Sequence, residues 1–451
     1  MDWPLSAAGT VVLALFVLTY VLIAWKEAHK TLIAGLLGTA AIVIALVAGA
    51  IPLGSAGACE IFGYHPASSP WSICSSQGFV GWDTLGLLFG LFILASLLSE
   101  LKFFSYLAFQ LARLSRGRPL PLFLTLSVLS FVLSAFINSI TVMVVLATLT
   151  LELAQALGMS PIPYLLAEIS CANIGGASTF VGDPPNVILG TFFNLNFTDF
   201  LVYAAPLALA SLGVTLLLFW LRSKGELFRP RDLPGGKGAE LPSPPRLDRT
   251  RVSYAFGVFA LTIGLLAFNQ YLPPSVGEIG LIGAALGLVV AGPSRAWPLL
   301  RGVDWSTLLF FVFLFLLVGG LAATGVIHLL AQGLAAAGEG NVLLTASLLL
   351  WVMGLLSSVV DNVPLAAAAA PIISSLSRIK GMPIGSLVYA TAVGTDVGGN
   401  GTPVGASANV TGLAIARRAG VTISWRRYIK DAFPIMIASL AAANLVLYFY
   451  H

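Results

Sequence analysis

Asn173-Ile-Gly-Gly-Ala-Ser-Thr-Phe-Val-Gly-Asp-Pro-Pro-Asn186 interrupts an apolar run, and Asp396-Val-Gly-Gly-Asn-Gly-Thr-Pro-Val-Gly-Ala-Ser-Ala-Asn409 echoes it 223 residues later. Aligned without gaps, the two stretches share Gly175/Gly398, Gly176/Gly399, Thr179/Thr402, Val181/Val404, Gly182/Gly405 and Asn186/Asn409. Carried upstream, the same offset lays Ser134-Ala-Phe-Ile-Asn138-Ser-Ile-Thr141 on Ser357-Ser-Val-Val-Asp361-Asn-Val-Pro364, a second polar break between apolar runs. Two breaks in one register mean an internal duplication.

The surrounding composition sets the environment. Of the 451 residues, 58% are hydrophobic and only 9% charged, against roughly 25% charged in soluble globular chains. The chain is therefore predicted to be an all-α polytopic membrane protein. Apolar runs of about bilayer-spanning length fall near 9–25, 31–52, 84–98, 200–221, 253–270, 276–292, 305–324 and 432–450. Residues 119–190 and 341–416 are also apolar but carry the breaks.

The net charge of +4 does not indicate nucleic-acid binding, because the basic residues follow topology. With residues 1–8 outside, the loops 26–30, 99–118, 222–251, 293–304 and 417–430 are cytoplasmic and hold 21 of the 23 Lys and Arg; only Arg378 and Lys380 fall elsewhere. That arrangement requires re-entrant hairpins at about 119–157 and 341–377, with 163–190 and 385–416 each crossing once. Two inverted repeats follow: residues 1–221, a Pro/Gly-rich cytoplasmic linker at 222–251, and residues 252–451. About ten spanning helices plus the two hairpins are expected, with both termini outside the cell membrane. The amphipathic stretches 101–116 and 326–334 suit helices lying along the interface before each hairpin. Residue 9 opens the first apolar run without a basic leader or cleavage pattern, so that helix is expected to be retained. Cys59 and Cys74 share the long external loop and are read either as a disulfide or as two thiols; Cys171 beside the first motif reads as packing.

Non-helical backbone survives at membrane depth only where protein or a water-filled cavity satisfies it. Gly175, Gly176, Pro184 and Pro185 in one motif, and Gly398, Gly399 and Pro403 in the other, force such breaks. Paired broken helices in inverted repeats are where secondary transporters place substrate and ion sites. The carboxylates there are Asp183, Asp361 and Asp396, with Glu168 some four residues before the first motif and expected to point to the same region. Buried at membrane depth they require a proton, a partner or a cation, and neither motif contains Lys or Arg. Asp361 and Asp396 lead as proton carriers; Asp183, before Pro-Pro, reads equally as a helix cap. Asn138, Ser139, Thr141, Asn173, Ser178, Thr179, Asn186, Asn362, Asn400, Thr402, Ser407 and Asn409 supply neutral donors and acceptors for a small solute.

The strings Gly182-Asp-Pro-Pro-Asn186, Asp361-Asn362 and Asp396-Val-Gly-Gly-Asn-Gly-Thr402 closely resemble the ion transporter superfamily, most of all its arsenite permease and P-protein branch. The resemblance spans about 84–221 and 305–450 and implies a scaffold, a transport domain with two hairpins, and alternating access. It leaves room for a homodimer and for a soluble ATPase subunit on the cytoplasmic face. Relatives in this branch often carry an acidic-Asn pair in both hairpins, whereas this chain has Asn138-Ser139 in the first, which argues against coupling to two cations. Arsenite, largely a neutral trihydroxide, suits a cavity of Asn, Ser and Thr, so proton-driven arsenite or antimonite efflux is the leading expectation. Sodium/proton exchange comes second. Di- or tricarboxylate transport comes third, because its substrate would meet carboxylates without a Lys or Arg to offset them. No enzyme motif, cofactor site or metal cluster is read from the sequence.

Overall fold

A computed structural model describes residues 5–25, 29–63, 78–116, 118–227 and 244–449. Within these residues the chain is helical and duplicated. The first half runs α1 (Ala7–Trp25), α2 (Lys30–Val47), α3 (Ser55–Phe62), α4 (Trp82–Glu100), α5 (Phe103–Leu114), α6 (Pro119–Ser134), α7 (Ser139–Leu157), α8 (Ile162–Gly176) and α9 (Pro184–Phe192). After the three-residue α10 (Phe197–Asp199) and a π-helical turn at Phe200–Ala204 comes α11 (Ala205–Leu227).

The second half is α12 (Arg249–Ala267), α13 (Val276–Ala291), α14 (Pro293–Gly302), α15 (Trp305–Ala323), α16 (Val326–Ala337), α17 (Val342–Ser357), α18 (Asn362–Lys380), α19 (Ile384–Gly398), α20 (Ser407–Arg418) and α21 (Trp425–Phe449). The 223-residue offset reproduces both ends of α4, α5, α6 and α7 in α15, α16, α17 and α18. Helix occupies both margins of the expected linker, since α11 continues to Leu227 and α12 starts at Arg249.

The duplication extends to hydrogen bonds. In the first unwound stretch Thr179 Oγ1 donates to the Ala135 carbonyl, and in the second Thr402 Oγ1 donates to the Ser358 carbonyl. Asn186 Nδ2 donates to the carbonyls of Gly176 and Thr179 (2.9 and 2.7 Å), and Asn409 Nδ2 to those of Gly399 and Thr402 (2.7 and 2.8 Å). Each threonine staples its break to a hairpin tip, and each asparagine closes the break on itself, so that two carbonyls at each break are paired within the protein. Gly175 and Gly398 allow the approach: a Cβ would stand 2.2 Å from the Phe131 carbonyl oxygen and 2.1 Å from that of Gly354.

Seven helices among the described residues are long and apolar enough to cross a membrane: α2, α4, α7, the continuous stretch Phe197–Glu226, α12, α15 and α21. The expected ten is not reached by length and composition alone: α1 and α13 are apolar but shorter, α8–α9 and α19–α20 are each interrupted by the break, and α7, expected as a hairpin arm, is itself long enough to span. α2 packs on α15 and α4 on α13, the latter so closely that a Cβ on Gly90 would meet the Gly280 carbonyl at 2.1 Å. α16 and α17 meet at 118°, which turns the chain from the surface into the second hairpin. Cys59 is disulfide-bonded and Cys171 is free and buried; Cys74 lies outside the described residues.

Candidate substrate and coupling site

Four chain breaks converge. The first hairpin turns between α6 and α7, where Asn138 caps α7 by accepting from the Ile140 N–H at 2.8 Å. The second turns between α17 and α18, where Asp361, the positional equivalent of Asn138, caps α18 from the Val363 N–H at 3.2 Å. The crossings are unwound between α8 and α9 and between α19 and α20.

Between them lies a cavity of about 30 Å³, room for one or two water molecules. Asn138, Ser139, Asp183, Asp361, Asn362 and Ser407 form its polar lining on the hairpin and break side. Its other wall comes from Lys30 on α2 and from Thr307, Phe310 and Phe311 on α15. Lys30 is the residue that sequence reasoning missed. The motifs hold no cation, but folding sets the first residue of α2 beside them, its Nζ 5.4 Å from the centre of the Phe310 ring. Only the packing of α2 on α15 could have revealed it.

One amide joins the carboxylates of the two repeats. Asn362 Nδ2 donates to Asp183 Oδ2 and to Asp396 Oδ1, each at 2.8 Å. Asp183 Oδ1 accepts from Ser139 Oγ at 3.0 Å, while Asp396 Oδ2 is buried without a partner. Asp183 is the residue before α9, yet its side chain makes no capping bond; both its oxygens point to the hairpins. The capping carboxylate is Asp361, with Ser407 Oγ 3.4 Å from its other oxygen. None of the ion pairs among the described residues involves Asp183, Asp361 or Asp396.

The remaining polar residues are committed elsewhere. Thr179, Asn186, Thr402 and Asn409 hold backbone, as does Ser178, which donates to the Gly175 carbonyl. Asn173 donates to Asn400 Oδ1 and Asn409 Oδ1, both at 2.8 Å, and so ties the first crossing to the second. Thr141 lies on α7 beyond the cavity lining. Glu168 departs from expectation. Its Oε1 accepts from Thr150 Oγ1 of α7, and Thr150 is eleven residues, roughly 16 Å of helix, beyond Ser139. The five-residue step along α8 from Glu168 to Asn173 does not keep a side chain at the same depth: the rise of about 7.5 Å sets Glu168 toward the base of the hairpin.

Residues 20–394 match the family described as "Citrate transporter" (CitMHS). An uncharacterized transporter of Mycobacterium tuberculosis is 33% identical over 442 residues, covering 98% of each chain. The human P protein is 30% identical over 508 residues, covering 95% of this chain and 58% of that protein. Among solved structures, the YdaH transporter of Alcanivorax borkumensis superposes with a TM-score of 0.65 at 16% identity, over 92% of this chain and 98% of that one. That last likeness is one of fold.

Proposed function

The chain belongs to the citrate transporter family, and from that premise we propose that it is a proton-coupled secondary transporter that exports arsenite or antimonite by alternating access. The observation that carries this reading is the Asp183–Asn362–Asp396 chain, in which one amide holds a carboxylate from each repeat beside a small cavity. Two carboxylates bridged by one neutral donor, away from any ion pair, are costly unless something neutralises them. A proton does so without occupying space, and the partnerless Asp396 Oδ2 is a place for it.

The rest of the lining suits a small polyhydroxylated solute. Asn138, Ser139 and Ser407 offer hydroxyl and amide groups at the cavity, and about 30 Å³ is filled by a solute of a few atoms after modest parting of the hairpins. Loading exchanges one set of hydrogen bonds for another, which keeps binding weak enough for release. The cavity lies at the end of the scaffold where α2 and α15 begin, the side that the basic loops assign to the cytoplasm. This is the side from which an exporter loads.

A second reading has one observation in its favour. Lys30 at the cavity wall supplies the cation that a carboxylate anion would need, and the family description names citrate. Citrate needs several times the present cavity and would face Asp183 and Asp361 as well as Lys30. Uptake by everted vesicles under an inward-acidic gradient separates the readings, with radiolabelled arsenite, citrate and sodium offered in parallel. Gradient-driven arsenite accumulation abolished by Asp396→Asn is the expected result; citrate flux without arsenite flux overturns it.

A further inference from the structure

A second cavity, of about 340 Å³, lies where α10 passes into the π-helical turn and α19 begins. It is lined by Asp199, Tyr203, Ser386 and Tyr389, with Leu207 and Leu447 as its apolar walls. Nothing in the transport reading uses it.

Three features distinguish it from an ordinary belt of interfacial tyrosines. Tyr203 lies in the π-helical turn Phe200–Ala204, a rare geometry that occurs mostly as single turns and is frequent at functional sites. Its ring stacks on Tyr389 at 5.3 Å and 15°, and Tyr389 is itself buried, with Phe200 edge-on behind it at 5.3 Å and 86°. Asp199 is fixed by a capping box in which its Oδ2 accepts from the Asn196 N–H at 2.9 Å. A positioned carboxylate beside aromatic rings in a partly apolar cavity is the chemistry that binds alkylated ammonium groups.

We propose that this cavity is a binding site for a small organic ammonium group, held by Asp199 and the Tyr203–Tyr389 pair. The same chemistry is offered by a free solute such as choline and by the ethanolamine headgroup of a lipid. The site also has a mechanical link to the transport machinery. Phe200 contacts Phe180 at 5.7 Å, and Phe180 belongs to the unwound stretch between α8 and α9. An occupant that holds the tyrosine pair therefore holds one wall of the first break.

The test uses the full chain in phosphatidylglycerol vesicles, which carry no ammonium headgroup, titrated with choline chloride against sodium chloride at equal ionic strength. Saturable thermal stabilisation by choline is expected, with the apparent Kd weakened about ten-fold or more in Asp199→Asn and in Tyr203→Leu. Asn at 199 keeps an oxygen for the cap, so the helix start is retained. Repeating the titration with phosphatidylethanolamine added separates the sources: a headgroup occupant abolishes the choline response, a free solute leaves it. Absence of a choline-specific shift in phosphatidylglycerol, or an equal shift in Asp199→Asn, overturns the proposal.

Discussion

Asp183 and Asp396, one from each repeat, accept from the same side-chain nitrogen: Asn362 Nδ2 lies 2.8 Å from an oxygen of each. Any change in the charge of one carboxylate is therefore felt by the other through a single amide, and the amide belongs to the second hairpin. On the proposed reading, protonation at the site and movement of the hairpin would share one side chain.

Replacing Asn362 with Ala removes both donors and leaves two buried carboxylates facing each other. A lost bond to a charged group costs about 1.5–3 kcal/mol, so two together are expected to lower the thermal midpoint measurably and to reduce gradient-driven transport at least ten-fold. Asn362→Gln, which keeps the amide but lengthens its reach, should recover part of the stability and little of the transport. Thermal unfolding in detergent beside vesicle uptake distinguishes the two effects.

Asp396→Asn retains shape and hydrogen bonding to Asn362 but cannot release a proton. The expected outcome is a protein that folds, exchanges labelled for unlabelled substrate across a vesicle membrane, and fails to accumulate it against a gradient. Full accumulation by Asp396→Asn would assign coupling to Asp183 or Asp361 instead.

Lys30→Gln separates a neutral substrate from an anionic one. If the cargo is arsenite, removing the ammonium group changes apparent affinity by less than about two-fold, because a neutral trihydroxide gains little from a charge at the rim. A carboxylate cargo would lose roughly ten-fold or more, about the worth of one charge-assisted bond. Apparent KM for each substrate, measured at two salt concentrations, reads the difference.

Much of this was legible in the sequence, and the part that was not has a physical cause. The breaks, the hairpins and the 223-residue register follow from glycines, prolines and polar interruptions in apolar runs, because lipid forbids such features without internal partners. The residues identical in both motifs, Thr179/Thr402 and Asn186/Asn409, proved to hold backbone. The cavity and the hydrogen-bonded chain behind it use positions where the repeats differ: Asn138/Asp361, Ser139/Asn362, Asp183/Ala406 and, one bond behind, Asn173/Asp396. Identity between halves marks what both breaks need in order to exist, whereas difference marks what the site does. Lys30 was invisible because its neighbours at the cavity come from remote segments, and Glu168 was misplaced because a helix moves a residue along its axis as well as around it.

Gly398→Ala tests whether the close approach at the second break is obligatory. The new methyl would stand 2.1 Å from the Gly354 carbonyl oxygen, backbone against backbone, so α19 and α17 must separate. Overpacking of this kind costs about 1–3 kcal/mol, and Gly175→Ala against Phe131 should cost a similar amount. Both variants are expected to express less and unfold at lower temperature, whereas Gly257→Ala, with open space around it, should be neutral.

Tyr20 provides the most direct test of hairpin movement. Its hydroxyl donates to the Pro364 carbonyl at 2.7 Å, from α1 to the first turn of α18. This bond fastens the second hairpin to the surrounding helices in the conformation described here, and Pro364 follows Asn362 by two residues. Tyr20→Phe keeps the ring and its packing on Phe16 while deleting a bond worth about 1 kcal/mol. If the hairpin leaves Tyr20 during the cycle, deletion destabilises only the starting conformation and shifts its equilibrium with the alternative conformation about five-fold, changing the turnover rate with little change in equilibrium substrate binding to detergent-solubilised protein as long as the starting conformation still predominates. If the hairpin carries the contact with it, the rate stays at the parent value. Single-turnover exchange in vesicles, with the thermal midpoint measured alongside, separates these outcomes.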